Sequence, residues 1–414
     1  MLAIRAARLI DGTGADPVEN AVILVEGKRI AQVGSAEQIA IPAEANIIDA
    51  SAQTVLPGLI DVHVHIHAPG EATQMQQHTL SQVTQSQGLM ALNAFANSRQ
   101  TLQRGFTALR SVSSPAYVDV ALRDAINKGT VEGPRLQVSG QGLTITGGHM
   151  DSRAWSPDVT IAGRTGVCDG PWACRRAARE QIKRGVDLIK INAAVSNYST
   201  DYTHVEPFHQ EMTYEEMAAI CQEAHWAGMR VAAHAHGGQG ITDAIRAGLD
   251  SVEHAPWLTD EQLEMMVEHN VFYVPTLTVH TFLKELGQKE IGMPDAAWNW
   301  LLKVCDERWD TLARAKRAGV KIAAGADAGF FVPHGENAAE LEELVKGGFT
   351  PLEAIVAATQ TAAECMGWER EIGTVEAGKY ADLVLVDGNS LDEIGILRQP
   401  DNIVGVFKGG QTVV

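Results

Sequence analysis

Pro57-Gly58-Leu59-Ile60-Asp61-Val62-His63-Val64-His65 reads as a short apolar strand that ends on two histidines. Alternate residues of a strand share a face, so His63 and His65 project together. Two imidazoles on one face can chelate a metal, but a lone His-x-His pair arises often by chance and decides nothing alone. Its recurrence does decide. Ala232-Ala233-His234-Ala235-His236 and Ser251-Val252-Glu253-His254 are further apolar runs that end on histidine, and Lys321-Ile322-Ala323-Ala324-Gly325-Ala326-Asp327 ends on aspartate. Burying that carboxylate without a cation beside it would be costly.

Outward from these runs, between about residues 54 and 367, short apolar strands alternate with longer amphipathic helices, the pattern of repeated βα units and a parallel sheet. Eight candidate strands end near His65, Ser111, Gly140, Asn192, His236, His254, Leu277 and Asp327. That is the strand number of a (β/α)8 TIM barrel, whose active sites gather where the strands end. Ligand residue types close strands one, five, six and eight on that face. Helix starts support the alternation: Thr213, Thr259 and Thr350 are each followed three residues later by Glu or Gln, and Pro351 takes a first helical position.

The two chain ends read differently. Ala21 to Val25, the turn Glu26-Gly27-Lys28, and Arg29 to Gly34 form a hairpin pattern, and Ala381 to Val386 and Val404 to Val414 repeat that style. Isolated hairpins are marginal in water, so the termini are expected to pair. The fold class is therefore α/β: a barrel over 57–367 with a small β-sandwich domain built from 1–56 and 368–414.

Composition narrows the function. The chain has 414 residues, 45% of them hydrophobic, and 33 basic against 51 acidic residues give a net charge of −18. Such a charge repels phosphate backbones and anionic lipids, so neither nucleic acid nor membrane is an expected partner. The start, Met1 to Arg8, lacks the apolar run of a signal peptide, and a cytoplasmic location is expected. Cys168, Cys174, Cys221, Cys305 and Cys365 have no zinc-finger spacing and are read as buried free thiols.

Lys190 interrupts the strand Asp187-Leu188-Ile189-Lys190-Ile191-Asn192. A buried ammonium would be repelled by divalent cations, and an unmodified lysine does not ligate at neutral pH. Two readings stay open on the residues alone: a sheet-edge lysine paired with a carboxylate, or an amine that has taken up carbon dioxide to become an anionic carbamate.

Together these residues resemble the amidohydrolase superfamily over essentially the whole chain. The likeness rests on Pro57 to His65, Lys190, His234, His254 and Gly325-Ala326-Asp327. It implies a more buried cation held by His63, His65 and Asp327, and an outer one held by His234 and His254. Lys190 as N6-carboxylysine and a hydroxide would bridge the two, and zinc is the expected metal. Thr146-Gly147-Gly148-His149 and His234-Ala235-His236-Gly237 resemble the imidazolonepropionase-related branch that contains binuclear prolidases and dipeptidases. Imidazolonepropionases lack the bridging lysine, so Lys190 argues against that activity.

The resemblance implies amide hydrolysis by the bridging hydroxide. Two divalent cations less three negative charges leave the centre at about +1, which favours an anionic transition state. Asp327 would pass the proton to the leaving nitrogen, and His149 would steady the oxyanion. Expected substrate contacts are His149, Arg153, Tyr198 and His236, with Tyr202, His204, His209, Trp155 and Trp257 as rim residues. The leading expectation is an Xaa-Pro dipeptidase (prolidase) or related carboxy-terminal dipeptidase. The alternatives are a hydrolase of cyclic amides, lactams or N-acyl compounds, and a non-enzymatic scaffold, which six filled ligand positions disfavour. A homo-oligomer is expected, through the helix after Pro351 or the β-domain.

Overall fold

Four strands open the chain: β1 (Leu2–Leu9), β2 (Val18–Glu26), β3 (Arg29–Ser35) and β4 (Asn46–Pro57). The computed structural model describes residues 1–68, 70, 84–151, 156, 158, 166–194 and 210–413. The expected hairpin is β2 and β3, where Glu26 faces Arg29 across Gly27-Lys28 and Gly27 supplies the left-handed conformation (φ +59°) of a two-residue loop. β1 runs antiparallel to β2 and parallel to β4.

Next come β5 (Leu59–Val64), β6 (Phe106–Ser111) and β7 (Arg135–Val138), which pair in parallel in that order. Six further strands follow: β8 (Leu143–Thr144), β9 (Gly166–Val167), β10 (Leu188–Asn192), β11 (Arg230–Gly237), β12 (Ser251–Trp257) and β13 (Phe272–Val274). They form a second parallel sheet in the order β13-β12-β11-β10-β8-β9. The helices Tyr214–Trp226, Asp260–Glu268 and Pro351–Ala357 start on the expected capping boxes of Thr213, Thr259 and Thr350.

Three strand expectations need correction. β13 stops at Val274, because Pro275 has no N–H for the ladder, and Leu277 opens the helix Leu277–Leu286 instead. The short pair β8 and β9 was not foreseen. The run ending at Asp327 makes no ladder, only isolated bridges from Ile322 to Tyr273 and from Ala328 to Val64. Its amides are diverted: Ala324 N donates to Ala357 O, and Ala326 N to the Asp61 carboxylate. The run still lies between β13 and β5, since Tyr273 N donates to Lys321 O and Val62 N to Ala324 O. On the far side, Asp187 N donates to Val138 O at 2.7 Å, joining β7 to the segment that leads into β10.

The chain closes with β14 (Leu383–Asp387), β15 (Ile403–Lys408) and β16 (Gln411–Thr412). β14 pairs antiparallel with β4, giving one sheet in the order β16-β15-β14-β4-β1-β2-β3 drawn from both termini. Ile4, Ile23, Val25 and Val55 share a core with Leu383, Leu385 and Phe407, so the two ends bury one another. All five cysteines are buried and free. Among the described residues, no helix is long and apolar enough to cross a membrane.

Asp382, just before β14, receives Arg135 of β7 through two bonds of 2.7 and 3.0 Å, and the guanidinium lies 3.9 Å from the Tyr380 ring centroid. Asp382 is buried and Arg135 half-buried. Removing one partner of such a pair strands the other charge. Arg135→Met should therefore lower the unfolding free energy by about 2 kcal/mol, discounted for the partial exposure of Arg135. Denaturant titration reads this as a lower midpoint at unchanged slope, and an unmoved midpoint would show that the pair adds nothing.

Candidate metal centre

Strand parity sorts the side chains. Ile189 and Ile191 enter the large helix-facing core, so Lys190 and Asn192 take the opposite face of β10. Ala233 and Ala235 enter that core too, which turns His234 and His236 the same way as Lys190. In β12 alternation would separate Glu253 from His254. The backbone instead turns over at His254 (φ +70°) and Ala255 (φ +36°), and both Glu253 and His254 are buried within reach of His63. Asp327 (φ +57°), Thr276 (φ +47°) and Ser113 (φ +86°) are also left-handed. Non-glycine residues in that region cost of order 1–3 kcal/mol each, and here they gather round one site.

The rings form a continuous series. His65 lies 5.4 Å from His63, His63 4.8 Å from His254, His254 4.5 Å from His234, and His234 stacks on His149 at 4.1 Å between centroids. Three of them are gripped through Nδ1: His63 by Glu253 Oε2 (2.6 Å), His65 by the Ser113 carbonyl (3.3 Å) and His254 by Thr276 Oγ1 (2.7 Å). Holding Nδ1 frees Nε2 as a lone-pair donor. Asp327 Oδ1 sits 3.1 Å from His65 Nε2 and 3.5 Å from His63 Nε2. Ligand atoms of His63, His254 and Asp327 all lie within 4.8 Å of one another.

Burial sets the charge states. It pushes His63 down to about 4, with Lys190 adding to the effect, and holds His234, His236 and His254 well below the ordinary imidazole value. Burial also pushes Lys190 down to about 8, although Glu253 opposes it. For Asp327 burial works the other way but loses to the adjacent His65 and His63, so its carboxyl is held below the usual range. Neutral imidazoles beside an ionised carboxylate make a metal-ligand set. His63 Nε2, His234 Nε2 and Lys190 Nζ are buried without hydrogen-bond partners. Buried polar atoms are seldom left so, and these fit a cation, or for Lys190 an added carboxyl group.

His149 arrives on a turn whose glycines are required. Gly147 is left-handed (φ +70°), and a Cβ on Gly148 would fall 2.3 Å from Thr144 Oγ1 and 2.4 Å from Glu211 Oε2. Glu211 accepts from Thr144 Oγ1 and from His149 N, each at 2.8 Å, fixing this turn over the site. Burial, then Lys190, pushes His149 down to about 4, so its ring is neutral near neutral pH. His236 lies 4.8 Å from His234 and 4.9 Å from Trp300. Trp257 packs on Trp300 and donates to Glu307. Arg153, Trp155, Tyr198, Tyr202, His204 and His209 lie outside the described residues. Sequence reading overlooked Arg110, Ser113, Glu211, Glu253 and Thr276. Arg110 carried the same signal as Lys190, a cation inside the apolar strand Phe106-Thr107-Ala108-Leu109-Arg110-Ser111.

Comparison with known proteins agrees with this geometry. Residues 54–413 match the model of the Amidohydrolase family. An ochratoxinase from Aspergillus niger is 33% identical, with 99% of this chain and 85% of that protein aligned. The crystal structure of an Xaa-Pro dipeptidase with bound methionine in its active site superposes with a TM-score of 0.90 at 33% identity, covering 99% of both chains. That of a prolidase complexed with N-methylphosphonate-L-proline gives 0.86 at 29% identity, covering 99% of this chain and 98% of the other. A match across most of the sequence, to enzymes that all hydrolyse, leaves one conclusion: this chain belongs to the Amidohydrolase family and is a hydrolase.

Proposed function

We propose that this hydrolase cleaves the amide bond of small peptides with a free carboxyl terminus, Xaa-Pro dipeptides foremost, at a binuclear metal centre. The observation that carries the reading is the convergence of partnerless imidazole nitrogens, the Asp327 carboxylate and the unpaired Lys190 amine on one buried point. His63, His65 and Asp327 would hold one divalent cation and His234 and His254 a second, with Lys190 as N6-carboxylysine between them. Two zinc ions there would supply a nucleophile at neutral pH and polarise a carbonyl oxygen.

The chain's own groups do the rest. Asp327 accepts the proton of the attacking water and returns it to the leaving nitrogen. His149, neutral and stacked on His234, offers a ring N–H to the developing oxyanion. His236, between His234 and Trp300, faces the substrate rather than a cation. Backbone hydrogen bonds at both seams between the parallel sheets support a closed (β/α)8 barrel over 57–367, with 1–56 and 368–414 as the composite β-domain.

Two similar structures favour a dipeptide, since one holds methionine in its active site and the other a proline-based phosphonate. The equally similar ochratoxinase keeps a second reading in view, hydrolysis of N-acyl or cyclic amides at the same centre. Elemental analysis of the purified protein, paired with a screen of Xaa-Pro and other dipeptides for released amino acid, separates the two. Two metals per chain with release from dipeptides is the expected result. Two metals with turnover confined to cyclic or N-acyl amides would transfer the assignment to the second reading, and a metal-free protein would remove both.

A further inference from the structure

Arg110 and Glu253 are wholly buried, 1% and 0% exposed, and the hydrolysis derived above uses neither. Their contacts are complete. Arg110 donates from Nε to Val62 O at 2.5 Å, from Nη1 to Ser251 Oγ at 3.0 Å and from Nη2 to Glu253 Oε1 at 2.8 Å. Ser251 Oγ donates to the same Oε1 at 2.6 Å, which leaves Glu253 Oε2 for His63 Nδ1, also at 2.6 Å. His63 is thereby gripped twice, through its ring and through the carbonyl of the residue before it.

Energetics argue against a purely structural purpose. A buried ion pair is often no more stabilising than well-packed apolar residues of similar volume, so stability alone does not call for one here. What the carboxylate supplies, and an apolar group cannot, is a single acceptor aimed at one ring nitrogen. It makes Nδ1 the protonated nitrogen, leaves the lone pair on Nε2, and turns that lone pair toward Asp327 Oδ1, 3.5 Å away. The left-handed turn at His254 allows this, because it lets Glu253 stay beneath the site while the next residue enters it.

We propose that Glu253 is a positioning residue that fixes the tautomer and aim of His63 for metal binding, and that Arg110 and Ser251 hold Glu253 in place. The inference rests on the metal-centre reading above. Its test measures zinc affinity of the whole protein by competition with a chelating dye, alongside kcat and KM. Glu253→Gln should weaken zinc binding by about 10–100-fold, the range for partners of ligand histidines, while KM changes by less than about threefold. Because Glu253→Gln strands the Arg110 cation, the double variant Arg110→Met/Glu253→Gln is measured beside it. It removes both charges and should still bind zinc at least about tenfold more weakly than wild type.

Wild-type affinity in the double variant would trace the single variant's loss to the stranded cation and overturn the proposal. Unweakened binding in both variants would do the same. Ring nitrogen shifts of His63 in metal-free, histidine-labelled wild type need no variant at all. A proton on Nδ1 alone is the expected state, and a proton on Nε2 overturns the proposal. A wild-type protein that takes up no zinc overturns the metal centre and this inference together, whereas zinc uptake by wild type with unweakened binding in both variants overturns this inference alone.

Discussion

Lys190→Ala should lose at least one metal per chain and lower turnover by on the order of 10³-fold or more, a few kcal/mol of lost metal assistance. Lys190 stands on the face of β10 opposite Ile189 and Ile191, and its Nζ is buried with no hydrogen-bond partner. Beneath the ligands, Glu253 is taken up by Arg110, Ser251 and His63, and among the described residues no carboxylate hydrogen-bonds the Lys190 amine. Burial answers by pushing the amine down to about 8, so roughly a tenth is neutral at pH 7 and able to react with carbon dioxide. A carbamate there would reverse the sign of the group and would give the cations a second anion beside Asp327.

Two measurements check this. Elemental analysis of Lys190→Ala against wild type reads the lost metal directly. Reconstitution of metal-free wild type should be slow in carbonate-free buffer and accelerate when bicarbonate is added with zinc, while Lys190→Ala should ignore bicarbonate. Two metals retained at near-normal turnover in the variant would end the carbamate reading and leave Lys190 as an ordinary buried amine.

How much of this was legible in the sequence follows from how local each cause is. Capping boxes at Thr213, Thr259 and Thr350 need only residues three apart, and all three form. The parity of His63 with His65, of His234 with His236, and of Lys190 with Asn192 needs only an unbroken strand. Parity fails where the backbone leaves the strand. Glu253 and His254 both serve the site because His254 is left-handed, and nothing in Ser251-Val252-Glu253-His254 announces that turn. The irregular run before Asp327 was hidden for a related reason, since the groups that take its amides, Asp61 and Ala357, come from distant parts of the chain. Arg110 was legible by the rule that picked out Lys190, a charge inside an apolar strand. Applied evenly, that rule would have found it.

Asp327→Asn should lower kcat by about 10³–10⁴-fold, the upper range for a lost proton acceptor, while at least one metal per chain remains bound. The substitution isolates the proton. Asparagine keeps the size of the side chain and an oxygen that can face His63 and His65. It is also among the few residues that tolerate the left-handed backbone found here (φ +57°), so the bond from residue 327 N to His63 O should survive. Only the negative charge and the capacity to take a proton are lost. If Asp327 were merely a ligand, the damage would follow metal content, and excess zinc would restore turnover. If it carries the proton from attacking water to the leaving nitrogen, a fully metallated variant stays slow, with kcat reduced and KM little changed. Near-normal turnover in a metallated Asp327→Asn protein would refute the role, and the proton would then need another carrier. Among the described residues His149 is the candidate, because its ring lies against His234 and its Nδ1 has no hydrogen-bond partner.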